Sequence, residues 1–405
     1  MRIAALTLLH ALDGVLTEWQ KDATLDLEDY GRRLVRFVLR AVRKEAPHDR
    51  PQPPPRPFAF RGICYDAGTL YEKDWNSRPS WRAADVEHDL RAIRDDLHCD
   101  AVSVVASDTG RLARTGEIAR GLGLFTWLQP RPFDLPEPGL LEAVGRAARA
   151  ARRLHDEYGG GVGLNLGCEI SLSMTGIVPG RTFGRRSRNL VWSGWLLPWF
   201  NARLRGVLDR AVDVARRDFA GPLTYGAGMW ERVDWTRFDY VGLDAYPDAT
   251  NHWRLADDLR AVVARGKPVL ALEVGCCAYR GAAEKGATGF DILTGDPRRP
   301  VRGRPVRDES VQAGYLERAF DLFEAVGTHG VFVWAFSEPG LPHVADPAHD
   351  TDMGSFGVVA VLPGEDPDEP ERWRPKLAFD TVARRYAAHR DAARAHAEGA
   401  PDERR

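Results

Sequence analysis

The chain has 405 residues, 44% hydrophobic and 28% charged, which is enough apolar material for a large buried core. Its 56 Lys and Arg nearly balance 58 Asp and Glu, a net charge of −2, so neither nucleic acid nor an anionic membrane surface is an expected partner. Five cysteines without a CxxC pair exclude a disulfide scaffold and fit a reducing, cytoplasmic compartment, and no run of eighteen apolar residues offers a membrane span.

The first apolar stretch, Ile3–Leu12, is interrupted by His10 and lacks a small-x-small cleavage site, so it does not read as a signal peptide. Residues 1–50 read as a helical extension, with Leu25, Leu27, Tyr30, Leu34, Phe37 and Val38 near a 3.6 period. A Pro-rich linker at 51–57 is stiff and extended and marks a boundary. From residue 58 to about 390, short apolar runs alternate with helical patterns. The runs are Phe58–Tyr65, Ala101–Ala106, Gly123–Leu128, Val162–Gly167, Leu223–Ala227, Tyr240–Asp244, Pro268–Glu273 and Gly330–Phe336. Helical patterns cover roughly 81–97, 111–121, 137–158, 196–218, 252–265, 308–328 and 375–395, and the gap before Tyr240 holds at most a turn around Trp235. Strands without polar alternation, separated by helices, predict a parallel sheet covered on both faces, and eight units predict a (β/α)8 TIM barrel. An open doubly wound sheet is disfavoured because no GxGxxG follows the first run. Long insertions at 170–195, 274–307 and 337–372 follow strands four, seven and eight, on the face where barrels build ligand sites. Residues 391–405 read as a frayed tail.

Strands four and seven each end on a carboxylate, in Leu164-Asn165-Leu166-Gly167-Cys168-Glu169 and Val269-Leu270-Ala271-Leu272-Glu273. In a parallel barrel both ends point to one rim, and paired carboxylates there are what glycoside hydrolysis uses: one protonates the leaving oxygen, the other attacks the anomeric carbon. Either glutamate alone reads as a salt bridge or helix-cap neighbour; the pair shifts the balance.

With these residues in view, the chain resembles the large clan of retaining (β/α)8 glycoside hydrolases whose acid/base ends strand four and whose nucleophile ends strand seven. The likeness covers residues 58–390. It also rests on Phe60-Arg61-Gly62 at strand one, on Asp239-Tyr240-Val241-Gly242-Leu243-Asp244-Ala245-Tyr246-Pro247 at strand six, and on Gly330-Val331-Phe332-Val333-Trp334-Ala335-Phe336 at strand eight. A narrower likeness is to uncharacterised actinobacterial proteins, sometimes labelled abortive-infection proteins, through the run Glu273-Val274-Gly275-Cys276-Cys277-Ala278-Tyr279-Arg280-Gly281. The clan resemblance implies Glu169 as acid/base, Glu273 as nucleophile, Tyr246 beside the nucleophile, and Trp334 flooring the sugar subsite. It implies no cofactor, and a β-glycoside as substrate. Where the clan usually carries an Asn that contacts the sugar 2-hydroxyl, this chain has Cys168, a poor hydrogen-bonding partner.

Further candidates for carbohydrate binding are Arg61, Tyr65 and Asp66 at strand one, Trp127 at strand three, Trp230 at the end of strand five and Asp352 in the strand-eight loop. No metal is expected. His343, Asp346, His349, Asp350 and Asp352 lack tight motif spacing, and Cys276-Cys277 read as loop packing. Arg181, Arg185, Arg186 and Arg188 read as a solvated loop. The rival readings are a non-catalytic carbohydrate- or partner-binding barrel, favoured by Cys168, and an aldolase- or isomerase-type barrel. The second needs a strand-end lysine, whereas Lys267 stands at the start of strand seven.

Overall fold

Sequences such as Ala101-Val-Ser-Val-Val-Ala106, with every residue buried, need cover on both faces. The computed structural model describes residues 57–398 apart from 73–74, 294–300 and 365–368, so the expected extension at 1–50 lies outside the described residues. It supplies that cover with a closed parallel barrel: β1 (Phe60–Asp66), β2 (Ala101–Ala106), β3 (Phe125–Pro130), β4 (Val162–Cys168), β5 (Leu223–Gly228), β6 (Val241–Asp244), β7 (Val269–Val274) and β8 (Gly330–Val333). β1 closes the ring, pairing Gly62 with Ala101 on β2 and Phe60 with Gly330 on β8. All eight expected strands are present, so the chain is a (β/α)8 barrel.

The outer helices are α1 (Ala83–Asp95), α2 (Thr109–Gly121), α3 (Glu137–Tyr158), α4 (Phe183–Trp192), α5 (Leu197–Asp218), α6 (Leu255–Val263), α7 (Glu309–Val326) and α8 (Leu377–Glu398). Their ends follow capping chemistry. Asp108 accepts from the Arg111 amide at the start of α2, and Gly327 adopts the left-handed conformation that ends α7. Between β5 and β6 only a 3-10 turn, Trp235–Arg237, connects the strands, as the sequence indicated. α8 seals the β8–β1 seam. The Tyr386 hydroxyl lies 2.7 Å from the Gly62 carbonyl and 3.0 Å from that of Val331, and the Phe58 amide donates to His389 Nδ1. α8 runs past residue 390, where the sequence suggested a frayed tail. Among the described residues no helix is long and apolar enough to cross a membrane.

The barrel floor accounts for two expected site residues that lie elsewhere. Trp127 is the third residue of β3, fully buried, packed against Phe125 and Tyr240 at 5.5 Å and Phe60 at 6.5 Å. A Cβ on Gly163 would come within 2.4 Å of its ring, so that glycine makes room for the indole. Trp127 is therefore core at the strand beginnings, not a sugar platform. Arg61 is also at this end. Its guanidinium pairs with Asp100 at 2.8 Å and reaches the His98 carbonyl, just ahead of β2. A third expected residue, Tyr65, points between β1 and α1, where its hydroxyl donates to Asp89 at 2.8 Å and Arg78 lies 4.7 Å over its ring. None of the three reaches the rim where Glu169 and Glu273 stand.

Asp352 is likewise structural. It is buried and pairs with the fully buried Lys376 at 2.8 Å and with Arg307 at 2.8 Å; Arg307 also holds Asp350 and Glu309. Removing one partner of a buried ion pair strands the other charge, at a cost of about 3–5 kcal/mol. Asp352→Ala should therefore lower the unfolding free energy by about 3–5 kcal/mol in denaturant titrations. A loss below about 1 kcal/mol would show that Lys376 finds another partner.

Candidate active site

Three strand ends meet on one rim, and at each the ladder slips register. The shifts fall between Asn165 and Cys168 on β4, between Leu243 and Asp244 on β6, and between Val331 and Val333 on β8 against β7. Bulges re-aim side chains, and here they bring Cys168, Asp244 and Glu273 together. Ligating atoms of these three buried residues all lie within 4.8 Å of one another. The Asn165 side chain fills the β4–β5 slip, accepting from the Gly167 and Gly226 amides at 3.2 Å. Gly226 itself permits the approach of Asp244, because a Cβ there would lie 3.0 Å from Asp244 Oδ2.

Glu169 follows the β4 bulge with φ 45° and ψ 50°, a left-handed conformation uncommon outside glycine and its few polar substitutes. The surrounding bonds hold it there. Its amide donates to the Gly226 carbonyl at 2.8 Å, and the Ile170 amide donates to the Tyr225 hydroxyl at 2.7 Å. That hydroxyl donates in turn to Glu231, which also accepts from the Ser171 and Gly228 amides. Glu231 thus fastens the turn Ile170–Ser173 that follows Glu169. Burial pushes the Glu169 carboxyl well above the usual glutamate range, and the charges of Asp244, Glu273 and Glu231 push it the same way; Arg131 offsets them in part.

Glu273 has two donors. Arg131, just past β3, forms a buried ion pair with its Oε1, and the Tyr246 hydroxyl donates to its Oε2 at 3.1 Å. Burial raises the Tyr246 phenol well above its ordinary value, which keeps it protonated as a donor. Arg131 also sits 4.5 Å over the Trp334 ring, so one face of that buried indole is taken by the guanidinium. The Trp334–Ala335 peptide is cis.

Cys168 donates its thiol to Asp244 Oδ2 at 3.2 Å, and burial raises the thiol pKa, which preserves that donor. Burial and then the Glu273 charge raise the Asp244 carboxyl as well. Asp244 Oδ1 is buried and makes no hydrogen bond. Cys168, Asp244 and Glu273 are spaced to share a cation, but Arg131 already supplies the positive charge at Glu273. A second cation-sized group, His343, Asp350 and Asp352, is occupied by Arg307 and Lys376.

Glu169, Asp244 and Tyr246 open onto a cleft of about 490 Å³ whose walls include Trp230, Asn201, Pro198, Asp248 and Arg254. Trp230 is fixed there by its indole N–H, which donates to Ser171 Oγ at 3.0 Å. Asp66, the last residue of β1, reaches the rim, but its Oδ1 is spent on the Gly68 amide and the Thr69 hydroxyl, each at 2.9 Å. So the structure gathers Glu169, Glu273, Tyr246, Cys168, Trp230 and Trp334 with Asp66 at the margin, and leaves out Arg61, Tyr65, Trp127 and Asp352.

Sequence reasoning missed Arg131 and Asp244. Asp244 ends β6 much as Glu169 follows β4 and Glu273 stands next to last in β7, so the same strand-end rule reaches it. Arg131 immediately follows β3 in Gln129-Pro130-Arg131, a strand-end cation beside two acids. The Arg181–Arg188 segment also differs from expectation. It runs into α4, and Arg186 is fully buried, bonded to the Leu172, Ser173 and Gly180 carbonyls and paired with Asp134.

No protein-family profile matches the chain, and no curated protein is similar in sequence. Among solved structures, the β-mannanase of glycoside hydrolase family 113 from Alicyclobacillus acidocaldarius, in complex with ManMIm, superposes with a TM-score of 0.52 at 16% identity. The match covers 82% of this chain and 98% of that one. A complex of a family 113 β-1,4-mannanase gives a TM-score of 0.51 at 16% identity, covering 82% of this chain and 99% of the other. At such identity the likeness is one of fold: the chain shares the (β/α)8 barrel on which these glycoside hydrolases are built.

Proposed function

We propose that the chain is a retaining glycoside hydrolase that cleaves a β-linked O-glycosidic bond by double displacement. The observation that carries this reading is the division of labour between two glutamates on one rim. Glu169 has a carboxyl biased toward the protonated form, and Glu273 is bracketed by a guanidinium and a phenol. Glu169 donates its proton to the glycosidic oxygen as Glu273 attacks the anomeric carbon, so the aglycone leaves as an alcohol. Glu169, now a carboxylate, takes a proton from water, whose oxygen displaces Glu273 with retained configuration. The cleft wall at Trp230 frames the sugar. Asp244 lines the cleft beside Cys168 and takes the sugar-hydroxyl contact that the Cys168 thiol makes poorly.

Cys168 supports a second reading, a sugar-binding barrel without turnover. Variants separate the two. Glu273→Gln should abolish hydrolysis of aryl glycosides. Glu169→Ala should keep activity only on good leaving groups and be rescued by azide as a glycosyl azide. A folded Glu169→Ala protein that azide does not rescue, or a Glu273→Gln protein with unchanged rate, would remove the assignment.

The cluster also predicts a pH signature. With Glu169 as the acid, the alkaline limb of kcat/KM reports its ionisation and lies above the ordinary glutamate range. Asp244→Asn removes a neighbouring negative charge, so Glu169 should ionise more easily and the limb should move to lower pH. A limb that stays in place would assign it to another group.

A further inference from the structure

Tryptophan is costly to leave in water, and a soluble chain seldom exposes several together without a ligand or partner. Three lie close in sequence and exposed here: Trp192 at the end of α4 (85% exposed), Trp195 in the following 3-10 turn (79%) and Trp199 in the first turn of α5 (55%). A fourth, Trp253 (56%), precedes α6. These four are nearly half of the large exposed apolar side chains among the described residues, and Trp195, Trp199 and Trp253 stand within two residues in sequence of side chains that line the cleft. Leu197 and Pro198, between Trp195 and Trp199, line the cleft, as does Arg254 beside Trp253. Arg254 also lies 5.9 Å over the Trp253 ring.

We infer that Trp192, Trp195, Trp199 and Trp253 form a platform that extends the cleft and takes a polysaccharide chain, so the substrate is a polymer rather than a short glycoside. The inference rests on the proposed glycosidase only for what happens to the bound chain. Flat apolar faces suit the C–H faces of sugar rings, and hydroxyls at ring edges are left for water and for polar cleft residues such as Asn201 and Thr250. The polar character of the adjoining cleft argues against a lipid surface as occupant. Asn201, Asp248, Thr250 and Asn251 line it, a set of hydrogen-bonding groups that suits hydroxyls rather than acyl chains. The platform stands in the insertion between β4 and α5 and in the loop after β6, both at the carboxyl ends of strands, so a polymer on it runs over the rim that carries Glu169.

The test uses the full chain in native gels containing glucomannan, xylan, mixed-linkage β-glucan or polygalacturonate. The comparison is with a variant in which Trp192, Trp195, Trp199 and Trp253 are all alanine. Thermal unfolding checks that the variant is folded, and kcat/KM on aryl glycosides reads the cleft separately. The wild-type chain should be retarded by at least one polymer. The variant should lose affinity by at least about tenfold while keeping aryl-glycoside kcat/KM within about twofold. Equal retardation of both proteins, or retardation of neither, overturns the platform. So does tryptophan-dependent dimerisation in sedimentation, or binding to phosphatidylglycerol vesicles, without polymer binding. Tryptophan-dependent retardation without hydrolysis of any glycoside would keep the platform and discard the hydrolase.

Discussion

The site depends on one arginine among four buried or half-buried carboxyls. Glu169, Asp244, Glu273 and Glu231 converge at the mouth of a low-dielectric barrel, where ionising all of them together is prohibitive. Arg131 is the guanidinium paired within this group, and it is committed to Glu273. That commitment breaks the symmetry. The guanidinium stands at Glu273, and Glu169, crowded by acids, is driven toward its protonated form. Two identical side chains thus stand in opposite surroundings.

The backbone makes that arrangement possible. Register slips at the ends of β4, β6 and β8 turn side chains toward one point that a regular ladder would hold apart. The left-handed Glu169 is the furthest departure, and the Tyr225–Glu231 bonds beneath it are the compensation. Below the rim, Trp127 and its aromatic neighbours fill the barrel, so the cleft has a solid floor and the chemistry stays at one end.

The fold was legible because burial on both faces leaves a strong signature: unbroken apolar runs with helical patterns between them. The two glutamates were legible for a related reason, since a carboxylate ending an apolar strand stands out. Arg61, Tyr65, Trp127 and Asp352 were misplaced by the limits of the same signature. Sequence proximity to a strand does not say which end of the strand a residue occupies, as with Arg61 and Trp127. It does not say which face it takes, as with Tyr65, or whether a distant cation such as Lys376 already claims it, as with Asp352. Arg131 went unseen because its partner is 142 positions away and becomes a neighbour only when the barrel closes.

The central claim is that Glu273 forms a covalent bond to the sugar. Incubating the intact chain with fluorinated gluco-, manno-, galacto- and xylo-configured mechanism-based glycosides, and weighing it, tests this directly. The account predicts a mass increase of one fluorinated sugar, mapped by peptide analysis to Glu273 and lost in Glu273→Gln. An adduct on a different carboxylate, or turnover of these substrates with inverted configuration and no adduct, would contradict it.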